Sequence, residues 1–169
     1  MKVSEELLKK LPKTDLHLHL DGSLRLESLI ELAKDAKLEL PSQTPEGLKD
    51  LVFKDAYADL GEYLQCFGYT CGVMQTKEAL ERTSYELAWD NILEGVRYIE
   101  VRFAPQLHTV LGLSMEEILR SVCNGLERAK QEYNATAPIV SKAEPPFHFG
   151  VIVCALRMFN QYIPGWYGE

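Results

Sequence analysis

Three short stretches with the alternation of a β-strand, at residues 14–21, 97–104 and 147–157, are separated by long segments with helical periodicity. Side chains of a strand alternate between two faces, whereas a helix repeats its apolar positions at i, i+3, i+4 and i+7. Strands so far apart cannot pair through tight hairpins. They pair in parallel, each intervening helical segment returning the chain across the sheet. In the first stretch, Leu16, Leu18 and Leu20 alternate with Asp15, His17, His19 and Asp21. In the second, Ile99, Val101 and Phe103 alternate with Tyr98, Glu100 and Arg102, and Pro105 ends the run. The third, Phe147 to Arg157, is nearly all apolar, as expected of a strand covered on both faces.

The segments between them carry their own start and stop signals. Residues 1–13 read as a short helix and a linker ending at Pro12. Ser23 is placed to open a helix with Leu26, Leu29, Ile30 and Ala33 on one apolar face. Pro41 to Gly47 reads as loop. Residues 55–73 suggest a second helix, with Leu60, Tyr63, Leu64 and Phe67 on one side. Thr76 is placed to cap a third, running through Leu80, Leu87, Ala88 and Ile92 to a stop at Gly95. Ser114-Met115-Glu116-Glu117 has the form of a capping box, with Ile118, Leu119, Val122 and Leu126 inward behind it. Pro138 to Pro146 reads as loop. There is no internal repeat and no low-complexity segment. Three parallel strands alone leave open edges and an uncovered apolar face, and a complete (β/α)₈ barrel needs ~250 residues. The fold class expected is therefore α/β, the N-terminal part of a (β/α)₈ barrel with about three of its eight strands. Residues 1–169 are read as one such domain, truncated at its C-terminal side.

Composition narrows the partners. The formal charge is −7, so no basic surface is expected for nucleic acid or an anionic membrane. No segment approaches the roughly 20 apolar residues of a membrane span, and the charged start Met1-Lys2-Val3-Ser4-Glu5-Glu6 lacks the apolar core of a secretory signal. The cytoplasm is the expected compartment, with a small-molecule substrate. Cys66, Cys71, Cys123 and Cys154 form no C-x-x-C pair and read as small core hydrophobes.

The chemistry concentrates in the first strand. At positions i, i+2, i+4 and i+6, Asp15, His17, His19 and Asp21 should share a face, with the leucines packing the other way. Imidazole nitrogens and carboxylate oxygens suit Zn²⁺ and related divalent ions. Gly22 follows, permitting a tight turn or close approach of the backbone to a ligand. The column ends a first strand, where barrel enzymes place their sites.

The run from Pro12 to Ser23 closely resembles the opening motif of the adenosine deaminase family, P-K-x-[DE]-L-H-x-H-L-[DE]-G. Tyr57 to Tyr69 resembles the helix that walls that family's substrate pocket. Tyr98 to Pro105 is similar to its second barrel strand, Y-x-E-x-R-[FY]-x-P, and Phe149 to Arg157 to its third. The resemblance runs from residue 5 to about residue 160. It implies a zinc-dependent hydrolase of a carbon–nitrogen bond in a cyclic amidine, releasing the 6-amino group of adenosine or deoxyadenosine as ammonia. Zinc in such a site brings the pKa of its water toward ~7. Carried over by position, His17 and His19 match the first two zinc ligands, and Asp21 the residue that bonds the ribose 5′-hydroxyl. His19 also falls beside the substrate. Leu60, Tyr63, Leu64 and Phe67 match an apolar gate over the nucleoside, with an ordinary helix core face as the other reading.

The family's later parts have no counterpart here. A third zinc histidine, an aspartate ligand, the acid/base glutamate of an H-[AT]-G-E segment and a further histidine would all lie on later strands. No H-x-G-E occurs in the chain. Catalytic residues are accordingly none within this sequence, and little or no turnover is expected of it alone. His108 follows the second strand and reads as a loop residue near the top of the barrel; His148 begins the third and reads as structural, near the bottom. Glu100 and Arg102 should face the barrel interior, paired with each other or with further strands, and Asp15 is placed to orient a histidine. Two other readings stay open: a catalytically dead truncated product, and a related deaminase of adenine, AMP or N6-methyl-AMP. The 5′-phosphate substrates would favour a cation near Asp21, for which Arg25 is in range but reads as surface. The zinc nucleobase deaminases, with H-x-E and P-C-x-x-C, are set aside because the chain has neither motif.

Overall fold

A computed structural model describes residues 4–156 of the chain. Ser4 caps α1 (Glu5–Lys10), its hydroxyl accepting from the Leu7 amide. Then come β1 (Lys13–His19), α2 (Leu26–Ala36), α3 (Pro45–Leu51), α4 (Leu60–Val73) and α5 (Lys77–Leu93). After β2 (Val96–Phe103) the chain makes a short 3-10 turn, Pro105–His108. It continues through α6 (Met115–Asn134) and α7 (Ala137–Val140) into β3 (His148–Val153). The three strands are parallel, in the order β1-β2-β3. A parallel sheet with helical crossovers is the start of a (β/α)₈ barrel, as the sequence pattern implies. No helix among the described residues is long and apolar enough to cross a membrane.

The core lies between the sheet and α5 and α6, which pack against each other and against β2 and β3 respectively. Ile99, Val101 and Phe103 of β2 are fully buried, as their alternation predicts. So are Leu80 and Ala88 of α5 and Ile118, Val122 and Leu126 of α6. Gly95, at φ 82°, takes the left-handed turn that lets α5 end and β2 begin.

The Ser114 capping box forms in full. The Ser114 hydroxyl accepts from Glu117 N, and the Glu117 carboxylate accepts from Ser114 N. The same carboxylate takes Lys77 Nζ at 2.7 Å, tying the start of α6 to the start of α5. That bond first, and the Ser114 amide next, hold the Glu117 pKa down to about 2. Ser114→Ala is expected to cost about 1 kcal/mol, read as a lower urea midpoint at unchanged slope. An unmoved midpoint would show that water replaces the cap.

Several elements differ from the sequence reading. Ser23 does not cap α2; its hydroxyl donates to the His19 carbonyl, and Arg25 occupies the cap position without a side-chain capping bond. The segment Pro41 to Gly47 is not all loop, because Thr44 caps α3 with Pro45 in its first turn, where proline is favoured. Ala137–Val140 likewise makes one helical turn that takes up the start of the expected 138–146 loop. β3 is not covered on both faces: His148 and Val153 are exposed and the residues between them are half-buried. Arg157, expected to end that strand, and the rest of the expected domain to residue 169 lie outside the described residues.

Candidate metal centre

β1 is not a regular strand. Asp15 is opposite Ile99 and Leu18 is opposite Val101, so β1 spends three residues where β2 spends two. This is a β-bulge, a device that bends a strand and re-aims its side chains. It breaks the simple alternation expected for the column. Leu16 is exposed at 54%, rather than packed against the helices with Leu18 and Leu20.

The two imidazoles, one in the bulge and one just past it, face each other. His17 Nε2 and His19 Nε2 are 3.3 Å apart, with ring centroids at 5.3 Å and planes 28° apart. Both residues are exposed, so the pair opens to solvent. The chain then turns: Leu20 N donates to Arg102 O at 3.1 Å, and Leu20 is buried. Asp21 is buried too, with Oδ1 3.5 Å from His19 Nδ1. Burial pushes the Asp21 carboxyl above its ordinary range, against the pull of His19 and of neighbouring backbone amides. Its Oδ1 completes no hydrogen bond among the described residues. A buried oxygen without a donor is costly unless a ligand supplies one.

The donor set fits a zinc ion in part. Two nitrogens bound to one tetrahedral zinc at ~2.05 Å stand roughly 3.3–3.4 Å apart, and the Nε2 pair stands 3.3 Å apart. A proton on His19 Nδ1 would face Asp21, leaving the Nε2 lone pair for the cation. Zinc enzymes normally offer three protein ligands and one open position. No group of three or more His, Cys, Asp or Glu side chains placed to hold a metal occurs among the described residues.

Beside Asp21 is a cavity of about 100 Å³ lined by Asp21, Gly22, Phe53, Tyr57, Tyr63, Cys66, Phe67 and Thr70. Its wall is aromatic: Tyr63 contacts Tyr57 and Phe67 edge to face, with centroids at 5.2 and 5.4 Å. Asp59 caps α4 and fixes where this wall begins. The buried side of α4 is Cys66, Thr70, Cys71 and Val73, so Leu60, Tyr63 and Leu64 are exposed rather than an ordinary core face. Tyr63 and Phe67 line the cavity; Leu60 and Leu64 stand outside its lining. Sequence reasoning did not place Phe53, Cys66 or Thr70 at the site. Cys66 and Thr70 lie three residues on from Tyr63 and Phe67, a helical spacing that signals a neighbouring face. Phe53 carries no such signal. Cys71 is buried behind the wall with its thiol pushed up to about 12, chiefly by burial and then by Asp21, so it is no nucleophile.

The remaining candidates lie elsewhere. His108 follows β2 in the 3-10 turn, where it is fully buried and its Nδ1 donates to Met74 O at 3.0 Å. His148 is exposed at the start of β3. Glu100 accepts from Tyr98 and Arg102 donates to Leu16 O, so they are not each other's partners. Arg25 is tied to Asp90 through Nε and Nη2.

Comparison with known proteins shows the family to which the chain belongs. The family model described as adenosine deaminase matches residues 12–162. Adenosine deaminase of Vibrio atlanticus is 48% identical over 124 residues, covering 73% of this chain and 37% of that protein. A probable adenosine deaminase of Dictyostelium discoideum is 38% identical over 162 residues, covering 95% of the chain and 19% of that protein. The chain thus spans less than two fifths of either relative's length. The crystal structure of an Arabidopsis N6-mAMP deaminase superposes with a TM-score of 0.61 at 26% identity, covering 75% of this chain and 37% of that one.

Proposed function

Because the chain belongs to the adenosine deaminase family, we propose that it supplies two zinc ligands and the nucleoside wall of an enzyme that hydrolyses adenosine to inosine and ammonia. The observation that carries this is the His17–His19 nitrogen pair, 3.3 Å apart at Nε2, beside the buried Asp21 carboxylate. Zinc held there would supply a water whose pKa is brought toward ~7. His17 and His19 hold the ion. Asp21, buried at the edge of the cavity, accepts a hydrogen bond from the ribose 5′-hydroxyl. Tyr63 and Phe67 wall the nucleoside, and Leu60 and Leu64 form the outer rim of the same helix. The acid/base groups for the departing ammonia have no counterpart in residues 1–169, so turnover by this chain alone is expected to be negligible.

A nucleoside fits better than a nucleotide. Among the described residues no lysine or arginine lines the cavity, Arg25 is already paired with Asp90, and a buried carboxylate at Asp21 repels a 5′-phosphate. The formal charge of −7 likewise points away from nucleic acid.

Calorimetric titration with Zn²⁺ tests the reading. The wild-type chain is expected to take up one ion in a saturable manner, and the His17→Asn/His19→Asn double variant none. Zinc uptake unchanged in the double variant would remove the metal centre from β1. Adenosine loss well above background with the wild-type chain would remove the claim that further groups are needed.

A further inference from the structure

We propose that Asp15 and Arg102 are positioning residues: together they clamp the Leu16–His17 peptide unit and so set His17 against His19. This rests on reading the imidazole pair as the metal centre. Neighbouring same-face side chains on a regular strand stand roughly 6.5–7 Å apart. Here the ring centroids are 5.3 Å apart and the Nε2 atoms 3.3 Å. His17 lies in the bulge made by the extra residue between Asp15 and Leu18.

A bulge disrupts the ladder locally, and the backbone groups it displaces need other partners. Both polar atoms of the Leu16–His17 peptide are served by side chains. The Leu16 carbonyl accepts from Arg102 Nη2 at 3.1 Å. The His17 amide donates to Asp15 Oδ1 at 3.0 Å. Arg102 also grips β1 on the far side of the pair, its own carbonyl accepting from Leu20 N at 3.1 Å. One residue of β2 therefore brackets both histidines, holding residue 16 by its side chain and residue 20 by its backbone. Asp15 completes the clamp from within β1. Neither side chain reaches the imidazoles through these bonds; both act on the backbone that carries them.

The deciding measurement contains no metal. Nuclear magnetic resonance cross-peaks between the ring protons of His17 and His19 report their approach, and cross-peaks between the paired residues Phe103 and Val153 report that the sheet persists. Asp15→Asn keeps an acceptor for the His17 amide and is expected to keep the ring cross-peak. Asp15→Ala and Arg102→Met are expected to lose it with the sheet intact. In zinc titrations the first variant should stay within about twofold of wild type, and the other two should weaken by about tenfold or more, the usual cost of losing a group that orients a ligand. Ring cross-peaks retained in both Asp15→Ala and Arg102→Met overturn the proposal. So does an Asp15→Asn variant as impaired as Asp15→Ala, since that assigns Asp15 a role by charge. If Arg102→Met unfolds, the two Asp15 variants decide alone. A wild-type chain that takes up no zinc counts against the metal centre, and the ring cross-peaks still decide the clamp.

Discussion

Replacing Gly125 with alanine is expected to cost about 3 kcal/mol of stability, although helix propensity alone argues for a gain. A glycine within a helix costs ~0.5–1 kcal/mol relative to alanine. Gly125 sits inside α6, buried where that helix meets α5. A methyl group there would overlap the Glu81 carbonyl oxygen and the Ser84 hydroxyl and lie 2.9 Å from the Tyr85 amide nitrogen. Two of these are backbone atoms of α5, which cannot step aside by a rotamer change. The helices must separate, and Leu80, Leu87, Val122 and Leu126 lose packing when they do. Gly68, within α4, gives the opposite case: nothing lies within 4 Å of an added methyl. Gly68→Ala should therefore stabilise the chain by ~0.5–1 kcal/mol. Urea unfolding of both variants checks the pair of signs. A Gly125→Ala variant as stable as Gly68→Ala would mean that α5 and α6 do not pack this closely.

The contrast shows which features a sequence exposes. The strand at residues 14–21, the Thr76 and Ser114 caps and the alternation of β2 are written in local patterns, so their elements were legible. The histidine pair was legible for the same reason, since positions i and i+2 share a face. The bulge at Leu16 and His17 was not, because it exists only in the register between β1 and β2. Asp15 is placed by the sequence to orient a histidine, and the bond it makes is to the His17 backbone amide rather than to a ring. Arg102 looked like an interior charge awaiting an acidic partner, and its acceptor is a carbonyl. Gly125 was invisible because the reason for its missing side chain lies on another helix. Pro45 misled in a different way: proline breaks a helix in its interior but suits its first turn, and only the Thr44 cap distinguishes the two cases.

The candidate site shows the same limit. Spacing on α4 marks Leu60, Tyr63, Leu64 and Phe67 as one face, which is true of any amphipathic helix. Which of them wall a cavity depends on where Asp21 and Phe53 come to lie, and only Tyr63 and Phe67 do so. The exposure of the other two follows from what packs on α4: its buried side is turned toward Cys66, Thr70 and Cys71.

Acid should reveal His108, the residue whose surroundings the sequence most understated. Wild-type stability is expected to fall by about 3 kcal/mol relative to His108→Gln as pH is lowered from 7 to 4. The imidazole is fully buried, against Phe103 at 5.9 Å between ring centroids. Its Nδ1–H donates to Met74 O, and its Nε2 has no partner among the described residues. Protonation would place a charge and an N–H where no acceptor waits. Burial accordingly lowers the His108 pKa to about 4, against the modest upward pull of the Met74 carbonyl. In the unfolded chain the same group titrates near ~6.5. Above that pH both states are neutral and His108 contributes no pH dependence. Between about 6.5 and 4 the unfolded chain binds a proton that the native state refuses, so stability is lost as pH falls. Below about 4 both states are protonated and the loss stops growing. Carboxylates such as Glu62, Glu117 and Glu127, whose pKa values partners hold down, add their own losses at the acid end. They are common to both proteins, so the difference between the two urea series isolates the histidine. Curves that stay parallel from pH 7 to pH 4 would mean that His108 is hydrated in solution and that the junction of Met74 with the 3-10 turn is open to water.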